Sequence, residues 1–279
     1  MRETLTVPED ADQERPPKEA NDLAPPTVDV WGLSLARITS DELIDLVDRM
    51  IERREPSFFI TANLHYAMLS SREPRLADVN QRAKLIVADG MPLVWYSRLL
   101  GRRLPERVTG ADNVYRLARR AAERGHRVFL LGGLSEVAQA AGRRLTELYP
   151  GLNLVGIESP MIDSLSPKEH TDLIDRIRRA EPDLLFVALG QPKGELWLAE
   201  NIDSLGVPAC VQIGASLDFV AGRVRRAPRW IQRIGAEWFY RITREPRRML
   251  PRYAADAMFM IRAMWQDAFG RSVSRTPHR

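Results

Sequence analysis

Asp89 stands in the stretch VADGMPLVW, residues 87–95, where an apolar strand runs into a glycine and a proline-started apolar helix. A carboxylate at a strand end, held beside a glycine and a helix start, has little side-chain slack and can be fixed in a cleft. With an ordinary pKa of about 3.9 it is ionised at neutral pH and able to accept a proton, so general-base chemistry is one reading. The other is an Asp N-cap of the helix that follows, and the pattern alone weighs the two equally.

Other polar or small residues fall just after apolar runs in the same way. Thr61 and Asn63 follow SFFI, and could hydrogen-bond sugar hydroxyls or cap the next helix. Gly132 and Gly133 follow FLL ahead of a helix; such glycines let the backbone approach a phosphate or ribose, or simply make a tight turn. Gly190 and Gln191 follow LLFVAL, and Gly214 and Asp218 follow CVQI. Asp218 could bind a ribose or base, or cap the segment FVAGRV.

The elements that must position these residues alternate. Apolar runs at residues 28–38, 57–63, 84–90, 126–133, 152–159, 183–190 and 208–214 read as strands, separated by amphipathic helical patterns. Thr39 or Ser40 opens the first helix, and Ser166 with Pro167 opens a later one. The fold class expected is α/β: a Rossmann-like, mostly parallel sheet with helices on both faces. Ligands in such sheets bind beyond the carboxyl ends of the strands, which gathers the five sets of residues into one site.

Three regions are expected. Residues 1–27 are polar and proline-rich with net charge −4, and read as a disordered tail without a signal sequence. Residues 28–222 form the sheet domain. Residues 223–279 carry fourteen basic and four acidic residues, and read as a helical, arginine- and tryptophan-rich appendage. The net charge of +4 over 279 residues is therefore a property of one end, and points to an anionic partner there. Arginine forks interleaved with Trp230, Trp238, Phe239 and Tyr240 suit phosphates and an anionic membrane surface. Nucleic acid ranks lower, since no motif for it is present. The apolar side of the appendage could meet lipid, the sheet domain or a second copy of the chain.

Several chemistries find no support. The four histidines, His65, His126, His170 and His278, have no ligand spacing, so no metal site is expected. His65 could line the site, but reads better as a helix-surface residue. The single cysteine, Cys210, lies in an apolar run, reads as a buried small hydrophobe and excludes an intramolecular disulfide. Neither a G-x-G-x-x-G nor a G-x-x-x-x-G-K-[ST] motif occurs, and no apolar run is long enough to span a membrane.

In order along the chain, TAN, ADGMPLVW, RVTGAD, FLLGG, LGQPKGELW and IGASLDFVAGRVRRAPRWIQRIGAEWFYRITREPRR resemble the motifs of the WecG/TagA/CpsF glycosyltransferases, over about residues 28–253. The resemblance implies transfer of a sugar from a UDP-sugar, with inversion, to an undecaprenyl-diphosphate-linked acceptor at the inner face of the cytoplasmic membrane, for cell-surface polysaccharide synthesis. The donor sugar would be of N-acetylmannosamine or glucose type, and no metal cofactor is implied. Carried onto this chain, Asp89 is the general base, Thr61 and Asn63 lie beside the donor sugar, and Arg107 and Asp218 belong to the site. Arg241, Arg248 and Arg252 reach the diphosphate. One departure stands out: the family usually reads PKQE where this chain reads PKGE, with Gly194 in place of glutamine. Gln191, three residues earlier, is the side chain that could compensate. Two other classes compete: a Rossmann-type NAD-dependent oxidoreductase, against which the missing glycine fingerprint counts, and a non-catalytic membrane or polyanion adaptor.

Overall fold

The doubly apolar runs become strands because alternate side chains feed two separate cores. Phe59, Val87, Leu130, Phe186 and Val211 pack on one face of the sheet. Phe58, Ile60, Leu131, Leu185 and Cys210 pack on the other. Each large apolar side chain so buried contributes about 1.5–3 kcal/mol. The computed structural model describes residues 24–269. The proposed tail therefore lies almost wholly outside the described residues, as does His278.

The strands are β1 (Thr27–Val30), β2 (Leu33–Ala36), β3 (Phe58–Ala62), β4 (Leu85–Ala88), β5 (Arg127–Gly132), β6 (Asn153–Glu158), β7 (Leu184–Ala188) and β8 (Ala209–Gln212). They form one sheet in the order β1-β2-β4-β3-β8-β7-β5-β6. All neighbours are parallel except β1 and β2. The run VDVWGLSLARI, expected as a single strand, is instead a hairpin. It turns at Trp31 and Gly32, both with positive φ (49° and 81°). The apolar alternation on either side is uninterrupted, which hides the turn in the sequence.

The helices over the first half of the chain are α1 (Ser40–Arg53), α2 (Leu64–Ser70), α3 (Arg75–Arg82), α4 (Met91–Leu99), α5 (Gly110–Arg124) and α6 (Ser135–Leu148). Then come α7 (Pro167–Arg179), α8 (Lys193–Leu205), α9 (Ser216–Val220), α10 (Arg229–Arg233), α11 (Glu237–Arg244) and α12 (Pro246–Phe269). Capping boxes start α1 (Thr39 with Glu42) and α7 (Ser166 with Glu169), as the sequence signals predict. No helix among the described residues is long and apolar enough to cross a membrane.

The last strand in sequence, β8, inserts at the centre of the sheet between β3 and β7. That insertion places the carboxyl ends of β4, β3, β8, β7 and β5 in one row, at the edge over which α10–α12 fold. The apolar and polar contacts of these helices with the sheet domain are specific. Trp31 stacks on Tyr96 at 4.6 Å between ring centroids and meets Phe259 of α12 edge-on at 5.9 Å. Tyr96 Oη donates to Asp267 at 2.5 Å, and His65 Nδ1 lies 2.8 Å from the buried Asp256 carboxylate. His65 is thus a partly buried strut between α2 and α12 rather than a helix-surface residue. Its partner is 191 residues away and has no local signature.

Candidate active site

Asp89 follows β4, and its backbone N–H donates to Ala62 O at 2.7 Å, which ties it to the end of β3. It does not cap the next helix. The N-cap of α4 is Gly90, with no side-chain cap. Two glycines let three chain segments close on the carboxylate. A Cβ on Gly90 would come 3.2 Å from Asn63 Cα, and one on Gly110 would come 3.3 Å from Thr61 Oγ1 and 3.7 Å from Asp89 Oδ2. Gly110 instead gives its N–H to the carboxylate. Burial pushes the Asp89 carboxyl up to about 6. Arg107, the Gly110 N–H and Arg241 pull the other way, and Glu237 adds to the rise.

Beside it, Thr61 is buried, and its hydroxyl donates to Gln212 O at 3.2 Å. Asn63 does cap α2, accepting from Tyr66 N at 3.0 Å, and its Nδ2 also donates to Gln191 Oε1 at 3.2 Å. Gln191 Nε2 donates to Thr61 O at 3.3 Å. The capping reading of Asn63 holds, and the cap fixes the amide that meets Gln191. Sequence reasoning missed the layer beneath. Glu195, only 1% exposed, takes hydrogen bonds from Gln191 and from Gln212 Nε2 (3.4 Å), and burial raises its carboxyl to about 7. Gln212 also accepts from the Gly214 N–H. Its side chain fills the room over Gly194, where a Cβ would overlap the Gln212 Cγ. The glycine at the departure from PKQE is thus paired with a buried amide arriving from β8, in addition to Gln191.

The second part of the site is a cavity of about 610 Å³ between the sheet edge and the C-terminal helices. Gly133, Leu134 and Asp218 line it on the sheet side, and Glu237, Tyr240, Arg241, Arg244 and Arg248 on the other, with Arg223, Arg225 and Arg226 between. Leu134 is the N-cap of α6 and makes no side-chain cap, so the positive end of that helix borders the cavity. The two glycines of FLLGG divide their roles. Gly132 has no room for a side chain, since a Cβ would lie 2.7 Å from Ala188 O, and Gly133 faces the cavity. Asp218 lies inside α9, so it is a wall residue and caps nothing. Phe219 carries Arg241 at 5.0 Å and Arg226 at 5.9 Å over its ring. Arg252 does not line the cavity. It is partly buried behind it, pulled below the usual arginine range first by burial, with Arg241 and Arg248 adding to the fall.

Asp89 is not a wall of that cavity either. The two parts are joined by Glu237 and Arg241, which line the cavity and also act on the Asp89 carboxylate. Glu237 holds Arg107 at 3.3 Å and Arg226 at 3.7 Å, and Arg226 is also paired with Asp112. A fixed, buried carboxylate beside an arginine-walled cavity suits transfer of a group away from a diphosphate. The Glycosyl transferase WecG/TagA/CpsF family matches residues 28–273.

The chain belongs to this family.

Among its relatives are two enzymes named N-acetylglucosaminyldiphosphoundecaprenol N-acetyl-beta-D-mannosaminyltransferase. That of Bacillus spizizenii is 30% identical over 73% of this chain and 79% of the relative. That of Bacillus subtilis is 30% identical over 76% of this chain and 83% of the relative. A Staphylococcus aureus enzyme of the same name is 27% identical over 77% of this chain and 83% of its own length. The chain is a glycosyltransferase with the α/β fold that the sequence predicts. Glu237, Glu195 and Gln212 are residues of the candidate site that sequence reasoning did not single out. For Glu237 the signal was there, in the motif block that carries the resemblance. Glu195 and Gln212 read as ordinary members of a helix and a strand.

Proposed function

We propose that this glycosyltransferase moves a sugar of N-acetylmannosamine or glucose type from a UDP-sugar to an undecaprenyl-diphosphate-linked acceptor, with inversion. The observation that carries the reading is the junction of Asp89 with the arginine-walled cavity through Glu237 and Arg241. The names of the Bacillus and Staphylococcus relatives supply the acceptor class and favour N-acetylmannosamine. The donor's diphosphate lies against Arg241 and Arg248 and the N-terminus of α6, and its sugar lies toward Thr61, Asn63, Gln191 and Arg107. Gly133 and Asp218 line the nucleotide side.

In the step itself, a carboxylate oxygen of Asp89 takes the proton of the acceptor hydroxyl. The hydroxyl oxygen bonds to the anomeric carbon from the face opposite the phosphate. The bond from that carbon to the diphosphate oxygen breaks, and its electron pair leaves with UDP. Charge on UDP then rises just where the guanidinium groups and helix dipole are fixed in advance. A carboxyl with a pKa of about 6 is protonated below that pH and ionised above it. kcat/KM therefore falls as the pH drops through about 6.

The C-terminal helices also present Trp230, Trp238, Phe239, Met258, Ile261 and Trp265 to solvent among their arginines. This suits docking on the inner face of the cytoplasmic membrane, where a lipid-linked acceptor would lie. The test is thermal stability with UDP, a panel of UDP-sugars and NAD(H), with and without EDTA, followed by transfer to N-acetylglucosaminyl-diphosphoundecaprenol in vesicles. A ligand at 100 times its Kd should stabilise by about 2.7 kcal/mol. Stabilisation by UDP and one UDP-sugar, indifferent to EDTA, is the expected result. Stabilisation by NAD(H) alone would overturn the reading.

A further inference from the structure

Glu237 is the first residue of α11, and its two oxygens face arginines from separate parts of the chain. Oε2 lies 3.3 Å from Arg107 Nη1 and Oε1 lies 3.7 Å from Arg226 Nε. The three side chains are only 15–17% exposed, so solvent screens their charges little. Arg226 has a second partner in Asp112 of α5. Arg107 acts on Asp89 in the sense opposite to Glu237, favouring its ionised form. A free Arg107 would be drawn onto the Asp89 carboxylate, and a carboxylate in a close ion pair is a poor base.

We propose that Glu237 is a positioning residue for the transfer: it clamps Arg107 and Arg226 over the catalytic carboxylate and keeps Arg107 from pairing with Asp89. The inference rests on Asp89 being the base. It makes the base effective only when α11 is docked, because the clamp arrives on that helix. The charged groups that face this cluster are Arg107 from the loop before α5, Asp112 on α5, Arg226, and Arg241 on α11. The negative charge of Glu237 and its hold on Arg107 act on Asp89 in the same sense, both favouring its protonated form. Removing Glu237 must therefore lower the proton affinity of Asp89, and removing Arg107 must raise it.

The experiment is the pH profile of kcat/KM for the full chain, with UDP-N-acetylmannosamine as donor and N-acetylglucosaminyl-diphosphoundecaprenol in vesicles as acceptor. Glu237→Gln should move the acid limb to lower pH and lower the plateau rate, because a weaker base transfers the proton less well. Glu237→Asp, which keeps the charge, should keep the wild-type limb. Arg107→Gln should move the limb to higher pH, and it gives an independent reading of opposite sign should Glu237→Gln fold poorly. A limb that Glu237→Gln leaves in place while the plateau falls is what a merely structural role produces, and would overturn the inference alone. A wild-type profile without an acid limb overturns the base assignment and this inference with it.

Discussion

The two parts of the site are built on different principles. Around Asp89 the positions are set by backbone: the end of β3 takes its N–H, Gly110 gives its own, and Thr61, Asn63 and Gln191 bond to one another with Glu195 and Gln212 beneath. The cavity wall on α11 and α12 is set by side-chain charge. Arg241 rests on Phe219, and Arg248 is 69% exposed, held among the described residues by Glu245 at 3.0 Å. The first part is rigid because moving any member breaks a sheet-end hydrogen bond. The second can be remade at low cost, since exposed ion pairs are worth little. Under the proposed function, chemistry that needs sub-ångström alignment would sit on the sheet, and charge that receives and releases a nucleotide on the appendage.

Substitutions that respect the comparison should have unequal effects. Asp89→Asn keeps the shape and removes the proton acceptor, and should lower kcat by about 100- to 10,000-fold while UDP still raises the melting temperature. Lost UDP stabilisation in that variant would mean that Asp89 binds rather than catalyses. On the other side, Arg241→Gln should weaken donor binding by roughly 10- to 100-fold, the worth of one charge-assisted hydrogen bond, with a smaller loss in kcat. Arg248→Gln, more exposed, should cost less, and its effect should fade as salt is raised. If Arg248→Gln matched Asp89→Asn in kcat, the division between the two parts would fail.

How much of this was legible follows the same division. The strands, their burial on both faces, the caps at Thr39 and Ser166 and the row of residues at strand ends are local patterns, and sequence periodicity reports them. Asp89, Thr61, Asn63 and Gln191 do meet, because strand ends of one parallel sheet must. What the sequence hid was non-local. The hairpin at Trp31 needs a positive φ at a tryptophan, which no residue pattern announces. His65 meets Asp256 only because α12 folds back across the sheet edge. Glu237 was lost among arginines, since composition averages away the one carboxylate that decides where they point. Arg252, close to the matching arginines in the motif, is partly buried and does not line the cavity, because burial rather than helix phase sets its place one turn beyond Arg248.

Glu195 offers a test of the buried layer through stability rather than activity. Its carboxyl is raised from an ordinary 4.5 to about 7 by burial. The folded state therefore holds its proton more tightly than the unfolded state does. The resulting stability is fully present below about 4.5 and is lost as the pH rises through about 7. It amounts to roughly 3 kcal/mol at most. Glu195→Gln should flatten this part of the pH dependence of urea unfolding, and be no less stable than wild type at pH 8. An unchanged slope would mean that the carboxyl is better solvated than its burial implies.

A last effect, about 1–3 kcal/mol of stability, concerns Gly194 and Gln212. A glutamine at 194, as the resemblance leads one to expect, has nowhere to go in this chain because the Gln212 side chain already occupies the space. Gly194→Gln alone should therefore destabilise by overpacking. Gln212→Gly alone should destabilise for the opposite reason, by leaving the Gly214 N–H without a partner and Glu195 with one hydrogen bond fewer. Together the two changes should restore much of the loss, because the amide returns to the same volume from the other side. Urea unfolding of the four proteins gives the coupling directly, and strictly additive losses would sink the idea. A restored double variant would make the departure at Gly194 a relocation of one amide between β8 and α8, with the polar floor under Asn63 and Gln191 preserved. The donor preference of that variant should then match the wild type, since the groups that face the sugar have not moved.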